Sequence, residues 1–252
     1  MQLNQSNYFS PEASIEYMSV SQYKQFRKCE AMAYAELTGE YSRPKTSALL
    51  AGGYVDAHFS GFGDNFKADN PEMFKKDGSL KSEFIRIQSC IDRLEREEWI
   101  MEMFSKSEKQ KVSTGKIAGV PFKAMCDFIN DKGIIDLKCM KDFEDIYNSD
   151  TEMYEEWWKY WGYDIQGAVY LSLFGGNRSF GLVAVSKESS PDIKALNFGK
   201  IDDTILYNAM VEVEYFAPRY QAIKEGKIKP VGCGKCDYCK SIRKINKWEN
   251  IA

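Results

Sequence analysis

The sequence has 252 residues, 44% of them apolar, and a formal net charge of −3. That supports one sizeable core and excludes a globally basic polyanion binder, so any nucleic-acid affinity must come from local positive charge. No apolar run approaches the ~20 residues of a membrane span, and the opening "MQLNQSNYFSPEAS" lacks the basic and apolar regions of a signal peptide, so a cytoplasmic protein is expected.

Residues 1–18 are expected to be a flexible lead-in. From Ser19 to Leu37, apolar residues recur at helical spacing (Tyr23, Phe26, Ala33, Leu37), with Ser19 or Ser21 as N-cap and Gly39 past the end. "SALLAGGYVDAHFSGF" (47–62) predicts a second helix whose two glycines imply close packing or a kink. A long third helix is predicted over about 80–104. The pattern changes at Lys111. The segment to Met140 is rich in β-branched residues and punctuated by Gly119 and "NDKG", which predicts three consecutive strands. A helix over 154–176, strands over 178–187 and 192–199, and a helix starting at Asp202 or Asp203 complete the pattern. The expected fold is α/β, a central mixed sheet of about five strands flanked by helices, with residues 19–230 as the folded domain and 231–252 as a Cys-rich tail packing back on it.

Local positive charge occurs at Lys106, Lys109, Lys111, Lys116 and Lys123, and in the tail at Lys235, Lys240, Arg243, Lys244 and Lys247. Each group has the composition of a solvated face. The aromatic run "EEWWKYWGY" (Trp157, Trp158, Tyr160, Trp161, Tyr163) suits the core or a subunit interface. Tyr163, three residues before Gln166, is within reach of the site described next.

The chemistry concentrates in "CDFINDKGIIDLK". Asn130, Asp131 and Gly133 form a turn. A turn centred between Asp131 and Lys132 sets Asp127 directly opposite Asp136, with Cβ atoms ~4.5–5.5 Å apart. Alternation puts Asp136 and Lys138 on one face. Two adjacent carboxylates raise each other's pKa, and a divalent cation with oxygen ligands, Mg²⁺ or Mn²⁺, resolves that cost. The Leu137 carbonyl is a further oxygen ligand. Lys138 stands where it could stabilise or orient a water attacking a phosphodiester. Without a metal, the same residues form a salt-bridged Asp–Lys–Asp cluster.

Asp127, the short hairpin and then Asp136-Leu137-Lys138 resemble the core of the PD-(D/E)XK nuclease superfamily. "QGAVY" (Gln166 to Tyr170) is similar to the Q-x3-Y motif of its RecB-like branch, and the i, i+4 spacing puts both side chains on one helix face. The first two predicted helices resemble those of that branch. The second carries a metal-ligating histidine in many members, and His58, the only histidine, falls near that position. Asp56 cannot lie on quite the same helix face, so either could be the ligand that the resemblance implies, and His58 is favoured. Cys126 replaces the proline of the "PD" motif.

In arrangement the chain most resembles phage and prophage RecE-like exonucleases and, more distantly, lambda exonuclease. The resemblance covers about residues 19–240. It implies a restriction-endonuclease-like core, two Mg²⁺ ions held by His58, Asp127, Asp136 and Leu137, and catalysis assisted by Lys138, Gln166 and Tyr170. It further implies 5′→3′ digestion of linear duplex DNA in recombination, a ring-shaped homo-oligomer, a RecT-like single-strand annealing partner, and the interior of a bacterial or phage-infected cell. Lys24 and Arg27 are candidates for a DNA 5′-phosphate, with Arg27 favoured because guanidinium suits bidentate contact. The alternatives are a RecB-like single-strand nuclease of the CRISPR-adaptation type and an inactive nuclease-fold DNA-binding module.

Seven cysteines in a reducing compartment point to metal or redox chemistry rather than disulfides. Three stand in "CGKCDYC" as Cys233, Cys236 and Cys239, close enough to face one metal. Similarity to RecB-like nucleases with iron–sulfur clusters implies Cys29 as the fourth ligand. The second spacing is shorter than in that group, so an iron–sulfur cluster and Zn²⁺ both remain open. Cys90, Cys126 and Cys139 are expected as buried thiols.

Overall fold

The β-branched segment after residue 107 forms the three expected strands: β2 (Glu108–Ile117), β3 (Val120–Ile129) and β4 (Gly133–Met140). We describe them in a computed structural model covering residues 2–44, 46–246 and 248. Lys247 of the basic tail lies outside the described residues. The Asn130 carboxamide oxygen closes the β3–β4 turn by accepting from the Lys132 and Gly133 amides at 2.9 and 3.1 Å.

The sheet has six strands, in the order β1 (Met18–Ser19), β3, β4, β7 (Ser179–Ser186) and β8 (Ile193–Gly199), with β2 also on β3. It is mixed, as expected: β4 pairs with β7 in parallel over its whole length, and β7 pairs with β8 antiparallel. A parallel crossover needs a covering helix, supplied by α8 (Trp157–Tyr160) and α9 (Tyr163–Phe174).

The decisive feature is how β3 is shared. One side carries β2 for nearly its full length, while the other pairs with β1 only at Phe122–Lys123 and with β4 only at Phe128–Ile129. Between these points, from Ala124 to Asp127, β3 and β4 part and leave a cleft.

Helices cover both faces. On one side α2 (Val20–Lys28), α9 and α10 (Thr204–Lys224) pack over Phe122, Ile134, Phe180 and Leu182. On the other, α4 (Ser47–Ser60), α6 (Ser82–Glu95) and α7 (Glu98–Ser105) pack over Phe128, Ile135, Leu137 and Val183. A short α5 (Gly63–Asp69) follows α4, and β5 (Ile146–Asn148) with β6 (Met153–Glu155) forms a separate hairpin. No helix among the described residues is long and apolar enough to cross a membrane.

Three expected helices are interrupted. The first breaks at Cys29, whose extended backbone ends α2 and whose thiol caps α3 (Glu30–Leu37) by accepting from the Met32 amide. The third breaks at Arg96–Glu97, between α6 and α7. The fourth breaks at Gly162, where φ is +63°. There a Cβ would stand 3.0 Å from the Lys24 side chain.

The lead-in also differs from expectation. Residues 11–16 form α1 (Pro11–Glu16), with the Ser10 hydroxyl as N-cap, and Tyr8 and Ala13 are buried. Two lysines tie it down. Lys123 Nζ donates to the Tyr8 carbonyl at 2.6 Å, and Lys224 Nζ donates to the Ser14 and Tyr17 carbonyls at 3.0 and 2.9 Å. Burial pushes both lysines down to about 8. Lys123 is therefore no solvated-face charge.

Candidate active site

An open cleft of about 320 Å³ lies where β3 and β4 separate, and Asp127, Asp136, Lys138, Gln166 and Tyr170 all line it. The expected hairpin register is observed: Phe128 opposes Ile135 and Ile129 opposes Ile134, so Asp127 and Asp136 are the next pair out. They stand just where the ladder stops. The Leu137 amide donates to Asp127 Oδ2 at 2.8 Å, a carboxylate taking the place of a ladder carbonyl.

Asp136 is almost fully buried, so both its oxygens need partners. Gln166 Nε2 donates to Oδ1 at 2.6 Å, and Lys138 pairs with Oδ2. Lys138 Nζ also donates to the Leu137 carbonyl at 3.3 Å and lies 5.9 Å from the Tyr163 ring centroid. Burial pulls the Lys138 pKa down, but Asp136 and Asp127 outweigh it, and the net shift is upward. Burial and the Asp136 charge hold Asp127 well above the usual carboxylate range. The Tyr170 hydroxyl donates to the Met125 carbonyl at 3.1 Å, bracing β3 where it has lost its neighbour.

Asp56, not His58, faces this cleft. Two residues apart on a helix lie on nearly opposite faces, and α4 turns Asp56 inward. His58 points away, with Nε2 2.8 Å from Glu95 Oε1 on α6. Burial raises the Asp56 pKa, the Lys138 charge opposes that, and Asp136 adds to it. Of the two, the structure places Asp56 and not His58 beside Asp127 and Asp136.

The 5′-phosphate candidates separate in the same way. Lys24 lines the cleft. It donates to the Trp161 carbonyl at 2.9 Å and lies 5.2 Å from the Tyr163 ring centroid. Burial and the Lys138 charge push it down to about 8. Arg27 pairs instead with Glu212 of α10 at 2.7 Å, outside the cleft lining.

Gln110 was not singled out in the sequence. Its Nε2 donates to Asp56 Oδ1 at 3.1 Å and to Ser60 Oγ at 3.0 Å. Its φ is +51°, in the left-handed region, and the β2–β3 ladder skips it opposite Asp127. Left-handed backbone at a non-glycine residue costs ~1–3 kcal/mol and clusters at functional sites. No residue-type signal marks it. Tyr8 and Phe9, also in the cleft wall, come from the lead-in.

A family model described as a PDDEXK-like domain of unknown function (DUF3799) matches residues 19–242. The chain belongs to this PDDEXK-like family. The crystal structure of a candidate exonuclease from Eubacterium rectale is similar to it, at 37% identity and a TM-score of 0.91, over 99% of this chain and 97% of that one. No curated protein matches the chain. The resemblance to PD-(D/E)XK nucleases therefore holds across most of the sequence.

This PDDEXK-like domain fits a divalent cation on the chemistry of its donors. Asp56, Asp127 and Asp136 bring three carboxylates to one cleft, and hard oxygen donors suit Mg²⁺ or Mn²⁺. Among the cations of the described residues, Lys138 alone pairs directly with a member of the set.

Its second cluster joins distant parts of the chain. The sulfurs of Cys29, Cys233, Cys236 and Cys239 all lie within 4.8 Å of one another. Cys29 Sγ is 3.6 Å from Cys239 Sγ and 3.7 Å from Cys236 Sγ. The Cys233, Lys235, Cys236 and Cys239 amides each donate to one of these sulfurs at 3.3–3.4 Å. Amides aimed at sulfur suit thiolate, the form that binds metal. Tyr238 and Cys239 of α11 (Asp237–Ser241) pack against Cys29, Met32 and Ala35. Cys90 and Cys126 are buried, and Cys139 is half-buried.

Proposed function

We propose that the protein is a metal-dependent DNA exonuclease that digests linear duplex DNA, in the 5′→3′ direction, for phage-type recombination. One observation carries the reading: β3 and β4 part at Asp127, so three carboxylates and a protonated lysine share an open cleft with Gln166 and Tyr170. The family and the similarity to a candidate exonuclease support it.

Asp56, Asp127, Asp136 and the Leu137 carbonyl would hold the cation, Mg²⁺ or Mn²⁺, as two ions. When bound, it supplies the positive charge that offsets the carboxylates and polarises the scissile phosphodiester. The chain's own groups do the rest. Gln166 fixes the Asp136 carboxylate. Lys138, held protonated, stabilises negative charge growing on the phosphate and has a proton to give. Tyr170 keeps β3 away from β4. Lys24, pushed down to about 8, regains its full charge beside a phosphate and is the better 5′-phosphate candidate.

The cysteine cluster would hold an iron–sulfur cluster or Zn²⁺. A ring-shaped homo-oligomer and a RecT-like annealing partner belong to the same reading, inside a bacterial or phage-infected cell.

End-labelled linear duplex, carrying a 5′-phosphate or a 5′-hydroxyl, is incubated with Mg²⁺ or with EDTA beside closed circular duplex and single strands. Mg²⁺-dependent loss of the linear duplex from its 5′ ends, faster with the phosphate, is expected. Digestion of single strands alone would favour the CRISPR-adaptation-type alternative. No hydrolysis of any DNA with Mg²⁺ or Mn²⁺ would favour the inactive binding module and end the enzyme reading.

A further inference from the structure

A second cavity, of about 480 Å³, opens between the first turns of α4 and α6 and the chain just beyond β4 and β7. Arg86, Lys141 and Lys187 line it, against one acid, Glu83. Lys141 pairs with Asp142 at 2.9 Å. Among the described residues, the Arg86 and Lys187 side chains have no hydrogen bond or ion pair, and Glu83 pairs with neither. Two cations without an ion pair among the described residues thus line one space, Lys187 also acting on the nearby Cys139 thiol, with Ser47 and Ala48 of the α4 amino terminus on its wall.

Two elements connect this cavity to the catalytic cleft. On α4, Ser47 lines the cavity and Asp56 the cleft, ~13 Å apart at 1.5 Å per residue. Along β4 and one residue past its end, Lys138 lines the cleft and Lys141 the cavity, ~10 Å apart at ~3.3 Å per residue. Ala48, Gly52 and Asp56 share one helix face. A Cβ at Gly52 would meet nothing within 4 Å, so no neighbour packs on that point of α4 between the two. Phosphates of one strand rise ~3.4 Å along the duplex axis but stand ~6–7 Å apart in space because the strand winds around it, so ~10–13 Å spans about two phosphates.

We propose that this cavity is a second phosphate subsite for the DNA strand held in the catalytic cleft, with Arg86 and Lys187 as its ligands. The inference rests on the nuclease reading. A strand whose scissile phosphate lies against Asp127 and Asp136 reaches the cavity about two phosphates away, and Arg86 and Lys187 neutralise it there.

The test is fluorescence anisotropy of labelled linear duplex in EDTA across a salt series, with hydrolysis of thymidine 5′-monophosphate p-nitrophenyl ester as a second readout. Each lost phosphate contact lowers the slope of log affinity against log salt by ~1. Arg86→Gln and Lys187→Gln should each lower it by ~1, and the double variant by ~2, with affinity down tenfold or more at low salt. Ester hydrolysis, which occupies only the cleft, should stay at the wild-type rate. The exchange variant R86K/K187R should keep the wild-type slope.

A wild-type slope in both single variants and in the double variant overturns the subsite alone. So does an equal fall in K227A/K229A, which removes the same charge beyond α10. If the double variant loses inorganic phosphate binding in calorimetry but keeps the wild-type DNA slope, the cavity takes a free anion and the strand assignment falls. If the wild-type protein neither binds nor hydrolyses any DNA, the nuclease reading falls, and the subsite with it.

Discussion

Replacing Asp56 or His58 separates two ligand assignments that the sequence left side by side. The His58–Glu95 contact is partly exposed on both sides, with side-chain exposures of 31% and 46%. Such pairs contribute about 0.2–1 kcal/mol. His58→Ala should therefore lower Tm by no more than about 4 °C in a chain of this size and leave the metal requirement unchanged. Asp56→Asn is different. The carboxylate takes one hydrogen bond each from Gln110 and Ser60, at 3.1 and 3.4 Å on the same oxygen. The asparagine oxygen can still accept both, so the fold is kept. What is lost is one negative charge facing the cation. At an effective dielectric of ~20, unit charges at 4 Å interact by about 4 kcal/mol, and the solvation regained on removing a buried charge offsets part of that. A net loss of about 2–3 kcal/mol corresponds to a fall in metal affinity of roughly 30–150-fold. The assay is DNA hydrolysis against Mg²⁺ or Mn²⁺ concentration, with Tm as a folding control. A His58→Ala protein with a shifted metal midpoint, or an Asp56→Asn protein with the wild-type midpoint, would refute the assignment.

Lys138→Met leaves the buried Asp136 carboxylate with only Gln166 and removes the charge stabiliser, so hydrolysis should fall ~10²–10⁴-fold with DNA affinity in EDTA little changed. The raised pKa values of Asp127 and Asp56 make the metal-free fold favour their protonated forms. In EDTA the contribution of these groups should be most favourable below about pH 4, their unfolded range, and be lost as pH rises through their folded values. Scanning calorimetry should show Mg²⁺ restoring Tm at neutral pH, and a neutral Tm indifferent to Mg²⁺ would contradict this. Cys239→Ser removes one of the four sulfurs that would hold the proposed metal and so link parts of the chain 210 residues apart, a link for which chain entropy gives about 5 kcal/mol as an upper bound. A Tm loss of ~10 °C and loss of bound iron or zinc by elemental analysis are expected. Gly167→Ala would put a Cβ 2.4 Å from Phe180 Cδ1, so about 1–3 kcal/mol of overpacking should appear as a lower urea midpoint.

The hairpin was legible because two local rules fixed it. Asn130 and Gly133 set the turn, strand alternation set the faces, and the observed register follows from both. The parting of β3 from β4 was not legible, because it depends on β1 taking one end of β3 and β4 the other. The choice between Asp56 and His58 needed the rotation of α4 about its axis, which packing on β4 and α6 decides. Cys29 carries no helix-breaking signal, yet the cluster it joins holds it extended. The lead-in did carry one, Ser10 before Pro11, the pattern of an N-cap followed by proline in the first turn. What anchors that helix, Lys123 and Lys224, lies more than 100 residues away in sequence. The grouping of Lys106, Lys109 and Lys111 as one basic patch dissolved into separate bonds to Glu102, the Phe59 carbonyl and Glu108.

The four-cysteine cluster also sets an order in time. Its first member emerges early from the ribosome, at the break between α2, which brings Lys24 to the cleft, and α3. Its other three are made about 100 residues after Asp136, some 5–20 s later at ordinary synthesis rates. Until then the carboxylates exist without the clasp that fixes the helix beside them. A chain cut short before Cys233 carries every carboxylate of the cleft and only one of the four sulfurs. If the cluster takes up its metal, the helix beside the cleft is therefore fixed only after the cleft's own residues have been made.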